Sequence, residues 1–158
     1  MKQKVKWSIY AWVITILVTV ALAVALIITK NTPWRFYMLV GVTATVFISM
    51  WIWSPTSIYV DDKFLTIHKR IGRKRIPINS VSRIVIIEPE IERGFRLCGS
   101  GGFAGYYGWF HDSRIGRYFG YYGNRHECFL VQLNDKRQYV LGCENVSEMV
   151  CYISKKIK

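Results

Sequence analysis

Three histidines, four cysteines and ten carboxylates are the residues of this 158-residue chain that could carry catalysis or hold a metal. His68, His111 and His126 stand near Asp112, Glu127 and Cys128 in sequence. On one strand His126 and Cys128 would share a face, because side chains alternate with period two, and would offer two ligands. A structural zinc needs two such pairs, and no second pair follows. A Cys–His nucleophile needs a third group to orient its base, and none is in view. The expectation is no catalytic residue, no metal, no cofactor and no enzyme; a Cys/His-dependent enzyme or metal site is the remote alternative. Cys98, Cys128, Cys143 and Cys151 show no Cys-x-x-Cys pairing and read as free thiols of a reducing compartment.

Gly99-Ser100-Gly101-Gly102-Phe103-Ala104 has the form of a dinucleotide fingerprint. That fingerprint works only between a strand and a helix whose N-terminus takes the pyrophosphate. Gly105-Tyr106-Tyr107-Gly108 follows instead, a poor helix start, so nucleotide binding is excluded. The surrounding stretch, 94–123, holds nine of the 12 glycines and ten aromatic residues. Glycines permit tight turns and aromatics fill a small core. The sharper reading is an aromatic and basic interaction surface at the bilayer interface or against a partner, built from Arg96, Phe103, Tyr106, Tyr107, Trp109, Phe110, Arg114 and Arg117.

Lys69, Arg70, Arg73, Lys74 and Arg75 pack five cations into seven residues across a predicted hairpin turn. Such a cluster attracts anionic headgroups, and arginine can hold a phosphate with two hydrogen bonds. The plainer alternative is a solvated turn that marks the cytoplasmic side.

What must position these residues begins with two apolar runs, 7–29 and 36–53, each free of charge. As helices at 1.5 Å per residue they reach about 35 and about 27 Å, against a bilayer core of about 30 Å. Soluble core helices seldom sustain two such runs in succession. A cleavable signal peptide is disfavoured because Leu26-Ile27-Ile28 continues past the small-residue sites at 21–25. Lys2, Lys4 and Lys6 precede the first run and a dense set of cations follows the second, whereas the tip has only Lys30 and Arg35. Both termini are therefore expected in the cytoplasm, on the inner face of the cell membrane. Trp7, Trp12, Trp51 and Trp53 then fall at the inner interface, Trp34 and Tyr37 at the outer. Gly41, Thr45 and Ser49 make a small-residue face, matched in depth by Ala21 and Ala25, on which the helices are expected to pair. Thr32 before Pro33 reads as a helix cap.

The chain thus divides into a transmembrane hairpin, 1–54, and a cytoplasmic domain, 55–158. Every acidic residue and 17 of the 22 Lys and Arg lie in the latter. A basic domain tethered beside a leaflet meets anionic lipid before nucleic acid, so no nucleic-acid partner is expected. Alternating patterns predict strands at 57–61, 64–69, 73–78, 81–87 (extending towards Glu92), 127–133 and 138–141. Val146, Met149, Val150, Ile153 and Ile157 form one apolar helical stripe, with Asn145 and Glu148 as a capping pair and Lys155, Lys156 and Lys158 at the C-terminal end.

The order Ile58-Tyr59-Val60-Asp61-Asp62-Lys63-Phe64-Leu65-Thr66-Ile67, then Arg75-Ile76-Pro77-Ile78, then Gly101-Gly102-Phe103 and Gly105-Tyr106-Tyr107-Gly108, resembles the bacterial pleckstrin-homology-like (PH) domain family. The resemblance covers the domain and implies a bent seven-stranded antiparallel barrel capped by a C-terminal amphipathic helix; with the two apolar runs before it, the expected fold is an α + β membrane protein. It also implies a binding module for anionic lipid or protein partners, with an assembly subunit or homo-oligomer as the alternative. The turn that binds phosphoinositides in eukaryotic members corresponds to Asp61-Asp62-Lys63, largely acidic, so that site does not carry over.

Overall fold

The computed structural model of the chain describes residues 1–88, 91 and 95–157, the side chain of Trp51 excepted. Glu92, Gly94 and Lys158 lie outside the described residues; the strand expected over 81–87 and towards Glu92 ends at Ile86, and residues 87, 88 and 91 are not in a strand.

Helices α1 (Ile9–Thr29) and α2 (Pro33–Trp53) have 21 residues each. Ser8 starts α1, its hydroxyl accepting the Ala11 N–H at 3.2 Å. Pro33 opens α2, but the Thr32 hydroxyl makes no capping bond, and the Thr32 carbonyl takes the Phe36 N–H instead. Among the described residues α1 alone is long and apolar enough to cross a membrane. The half-buried positions are Ile14, Thr15, Val18, Leu22, Ala25, Leu26 and Thr29 on α1 and, apart from Ile52 at its end, Phe36, Leu39, Thr43, Val46, Phe47 and Met50 on α2. Their spacing of three and four marks one face of each helix. Of the expected packing set only Ala25 is among them. Ala21, Gly41, Thr45 and Ser49 are exposed, and a Cβ on Gly41 would meet nothing within 4 Å.

Two open sheets stand where a single seven-stranded barrel was expected. The first has strand order β1-β2-β3-β4, antiparallel throughout, from β1 (Lys2–Lys4), β2 (Pro55–Val60), β3 (Phe64–Lys69) and β4 (Arg73–Pro77). The second runs β5-β9-β10-β8-β7-β6, from β5 (Val81–Ile86), β6 (Phe95–Gly102), β7 (Gly105–Asp112), β8 (Gly116–Tyr122), β9 (Cys128–Leu133) and β10 (Gln138–Gly142). Its one parallel pair is β8 with β10. The glycine-aromatic stretch, for which no strand was expected, supplies three of these strands, and its aromatics fill a core as expected.

Helix α3 (Val146–Ile157) lays its apolar stripe on the core. Val146, Met149 and Ile153 are buried with Ile58, Leu65, Ile67 and Ile76 of the first sheet and Phe129, Val131 and Leu141 of the second. A second cluster fills the other face of the larger sheet. There Tyr106, Phe110, Tyr118 and Tyr122 pack with Ile91 and with Ala11 of α1. Tyr106 stacks on Tyr122 at 5.0 Å and Phe110 on Tyr118 at 5.7 Å.

Strand β1 crosses the expected division at residue 54. It precedes α1 yet pairs with β2, Gln3 opposite Ile58, and the Val5 N–H donates to Thr56 O at 3.1 Å. The Gln3 side chain also stands where the expected Asn145–Glu148 capping pair would close. Its carbonyl accepts the Asn145 N–H at 2.9 Å, and its amide donates to Glu148 at 3.1 Å.

Candidate membrane-facing site

Because α2 runs straight into β2, the β3–β4 turn comes back to the helix ends. Lys69 places its ammonium 4.2 Å from the Trp53 ring centre. Arg70 lines a hollow with Trp7, Trp12, Ser54 and Pro55. Burial, with Lys74 nearby as the smaller cause, lowers the Lys69 pKa from the ordinary lysine value. The acidic Asp61–Asp62 turn lies at the opposite end of the same strands, a separation of about 20 Å for six extended residues.

The five-cation cluster does not form one patch. Register puts Lys74 opposite Ile67, on the core side of the sheet, while Arg73 and Arg75 stand opposite His68 and Thr66 on the other side. Arg75 lies over the Phe64 ring, 5.9 Å from its centre and far from the turn. Only Lys69 and Arg70 reach the helix ends. Strand alternation, a signal already in the sequence, separates the rest.

The second approach to the helices is the β6–β7 ribbon. Gly99 and Gly108 face each other in register, with φ of +120° and +127°, and Gly120 of β8 continues the row. Cβ atoms on Gly99 and Gly108 would lie 2.2 Å from Tyr107 O and Cys98 O, so only glycine permits this close crossing. The row folds the ribbon, and the Arg96 guanidinium comes back over Gly101, within 3.2 Å of where its Cβ would stand.

The ribbon tip, Phe103–Ala104, sits against both helices. The Ala104 N–H donates to the Thr15 hydroxyl of α1 at 3.0 Å, and the Ser54 hydroxyl donates to Ala104 O at 3.1 Å. The Phe103 ring meets Phe47 of α2 edge-on at 6.1 Å. Thr15 is six residues into α1, about 9 Å along its axis. The two bonds satisfy both backbone polar groups of Ala104.

Between the folded ribbon and the C-terminal half of α2 lies a groove of about 520 Å³, lined by Val46, Ser49 and Trp53 on one side and Arg96, Cys98, Phe103, Tyr107, Trp109 and Phe119 on the other. Arg117 lies over the Trp109 ring at 4.7 Å.

The structure therefore splits the expected aromatic and basic surface. Arg96, Phe103, Tyr107, Trp109 and Arg117 gather at the groove. Tyr106 and Phe110 are 1% and 3% exposed in the opposite cluster, so they are core residues. Arg114 stands at the far β7–β8 turn, 3.9 Å from Asp112. The sequence pattern named Trp53 and Ser49 as helix residues and Cys98 as a free thiol without assigning them to this surface, where the structure brings all three; Arg125, counted among the cations of the stretch, lies 4.8 Å over Tyr106 of the opposite cluster. Alternation along 105–112 would have sorted Tyr107 and Trp109 from Tyr106 and Phe110.

His126 and Cys128, weighed above as a possible ligand pair and set aside, do not share a strand. β9 begins at Cys128, with His126 in the exposed bend before it. Cys128 is fully buried, its sulfur donates to Asn124 O at 3.0 Å, and burial pushes its thiol well above the ordinary value. No group of three or more potential metal ligands occurs among the described residues.

A family model described as Bacterial PH domain matches residues 56–157. No curated protein and no solved structure matches the chain at a significant level.

Proposed function

The chain belongs to the bacterial PH domain family, and we propose on that premise that it is a non-enzymatic binding module held against the inner leaflet by a two-span hairpin. The observation that carries this reading is the pairing of β1 with β2. These strands flank the two helices in sequence, so the helices begin and end on one side and cross an even number of times. α1 has the length and composition of a span, and α2 carries 18 uncharged residues from Phe36 to its end at Trp53. Lysine-rich flanks put the shared side in the cytoplasm. Trp7, Trp12 and Trp53 then lie at headgroup level with Lys69 and Arg70 beside them.

The bound partner in this reading is anionic lipid, drawn at up to about 1 kcal/mol per cation near the surface. The test is thermal unfolding of the full chain in neutral detergent, with phosphatidylglycerol or phosphatidylcholine added. The anionic lipid is expected to raise the midpoint, and Lys69→Gln with Arg70→Gln to remove up to about 2 kcal/mol of the gain. Equal response to both lipids would overturn the reading.

The second reading, an assembly subunit, draws on the exposed stripe of Gly41, Thr45 and Ser49, where another helix could approach closely. Sizing in mild detergent tests it: an oligomer that Gly41→Leu dissociates would make assembly the main role.

A further inference from the structure

We propose that the groove between α2 and the folded ribbon is a lipid site, with Arg96 holding the phosphate of an anionic glycerophospholipid and an acyl chain lying against Val46 and Trp53. The proposal rests on the membrane-facing reading above and names the ligand's seat within it.

Three observations point to a lipid. The lining is apolar apart from Ser49, Ser100, Arg96 and the Tyr107 hydroxyl, and its only charged member is a cation. Arg96 makes no ion pair among the described residues, and the two rings bounding the groove each carry a further cation, Lys69 on Trp53 and Arg117 on Trp109. An apolar trough with a cationic rim complements an amphiphilic anion, and a guanidinium fits phosphate oxygens in pairs. Position adds the third point. From Trp53 to Val46 the groove follows α2 inward for seven residues, about 10 Å, from headgroup level into the acyl region. A free inorganic anion would use Arg96 and leave the apolar length empty.

Cys98 lines the groove and Cys151 is exposed on α3, so the chain carries its own probe and control. The experiment measures maleimide alkylation of both thiols in the full chain, in nanodiscs of phosphatidylcholine alone or with one third phosphatidylglycerol. A charge-assisted phosphate contact of ordinary strength should slow Cys98 about tenfold in the anionic discs. Cys151 should not change. Inorganic phosphate added to neutral discs should give no protection. Arg96→Gln should remove the protection and Arg96→Lys keep most of it, with unfolding midpoints in neutral discs showing that both variants fold. Equal Cys98 rates in the two membranes, or full protection in Arg96→Gln, would overturn the proposal. If anionic lipid still raised the unfolding midpoint in that case, the membrane-facing reading would stand and only the groove would be excluded.

Discussion

Single residues decide whether the ribbon can fold over. At Gly99 and Gly108 a side chain meets two obstacles, a positive φ and a carbonyl oxygen 2.2 Å from the Cβ. Strained backbone alone costs about 1–3 kcal/mol, so Gly99→Ala or Gly108→Ala should cost more than that in thermal or denaturant unfolding of the full chain. Gly72→Ala is the control: φ there is +84° but the Cβ meets nothing within 4 Å, so the loss should stay near 1–2 kcal/mol. Equal losses at all three positions would show that the close crossing is unimportant. The thiols report burial in the same way. Cys98 and Cys151 should react with a thiol reagent in the folded protein, and Cys128 and Cys143 only after unfolding. Burial pushes Cys143 from 9.0 to about 12 and Tyr121 from 10.0 to about 12. The folded chain therefore keeps protons that the unfolded chain releases. The stabilisation is fully present below pH 9 and is lost as pH rises through the window from 9 to 12. A denaturation midpoint that rose over that window would contradict the burial of these groups.

Among the elements, β1 and α3 support one another through Gln3. Gln3→Ala removes two hydrogen bonds at the start of α3, each worth about 0.5–1.5 kcal/mol net, and equilibrium denaturation should show a loss of about 1–2 kcal/mol. Ending the chain at Gly142 uncovers the seats of Val146, Met149 and Ile153. At about 1.5–3 kcal/mol for each buried side chain, that loss rivals the stability of a whole domain, and the cooperative transition should disappear. The α3 stripe was legible in the sequence because one face meets a core and the other meets water. The hairpin strands at 64–69 and 138–142 were legible for the same reason. The contact face of α1 and α2 was not, because both runs are apolar nearly all round and leave no contrast in the pattern. Lys2–Lys4 gave no strand signal either, since its pairing is with residues more than fifty positions away. In the ribbon, the alternation that puts Tyr106, Phe110, Tyr118 and Tyr122 on one face is present in the sequence, but the interspersed glycines gave no strand signal to apply it to. The candidate site was half legible: its cations and rings could be named, but which shared a face depended on register.

Across the whole molecule, the two helices meet the domain at three places: the β1–β2 pairing, the Lys69 and Arg70 turn, and the ribbon tip at Ala104. In the proposed membrane setting these contacts hold the domain close to the bilayer, and its groove opens towards the acyl region beside α2. All of this requires that α1 and α2 enter and leave on the cytoplasmic side. The most direct measurement is cysteine accessibility in intact cells, with Asn31→Cys placed between the helices in a chain lacking the other cysteines, and Cys151 kept alone in a second chain. An impermeant reagent added outside should label Asn31→Cys in intact cells and reach Cys151 only after the membrane is opened. Labelling of Cys151 from outside, or of both sites from the same side, would contradict the account.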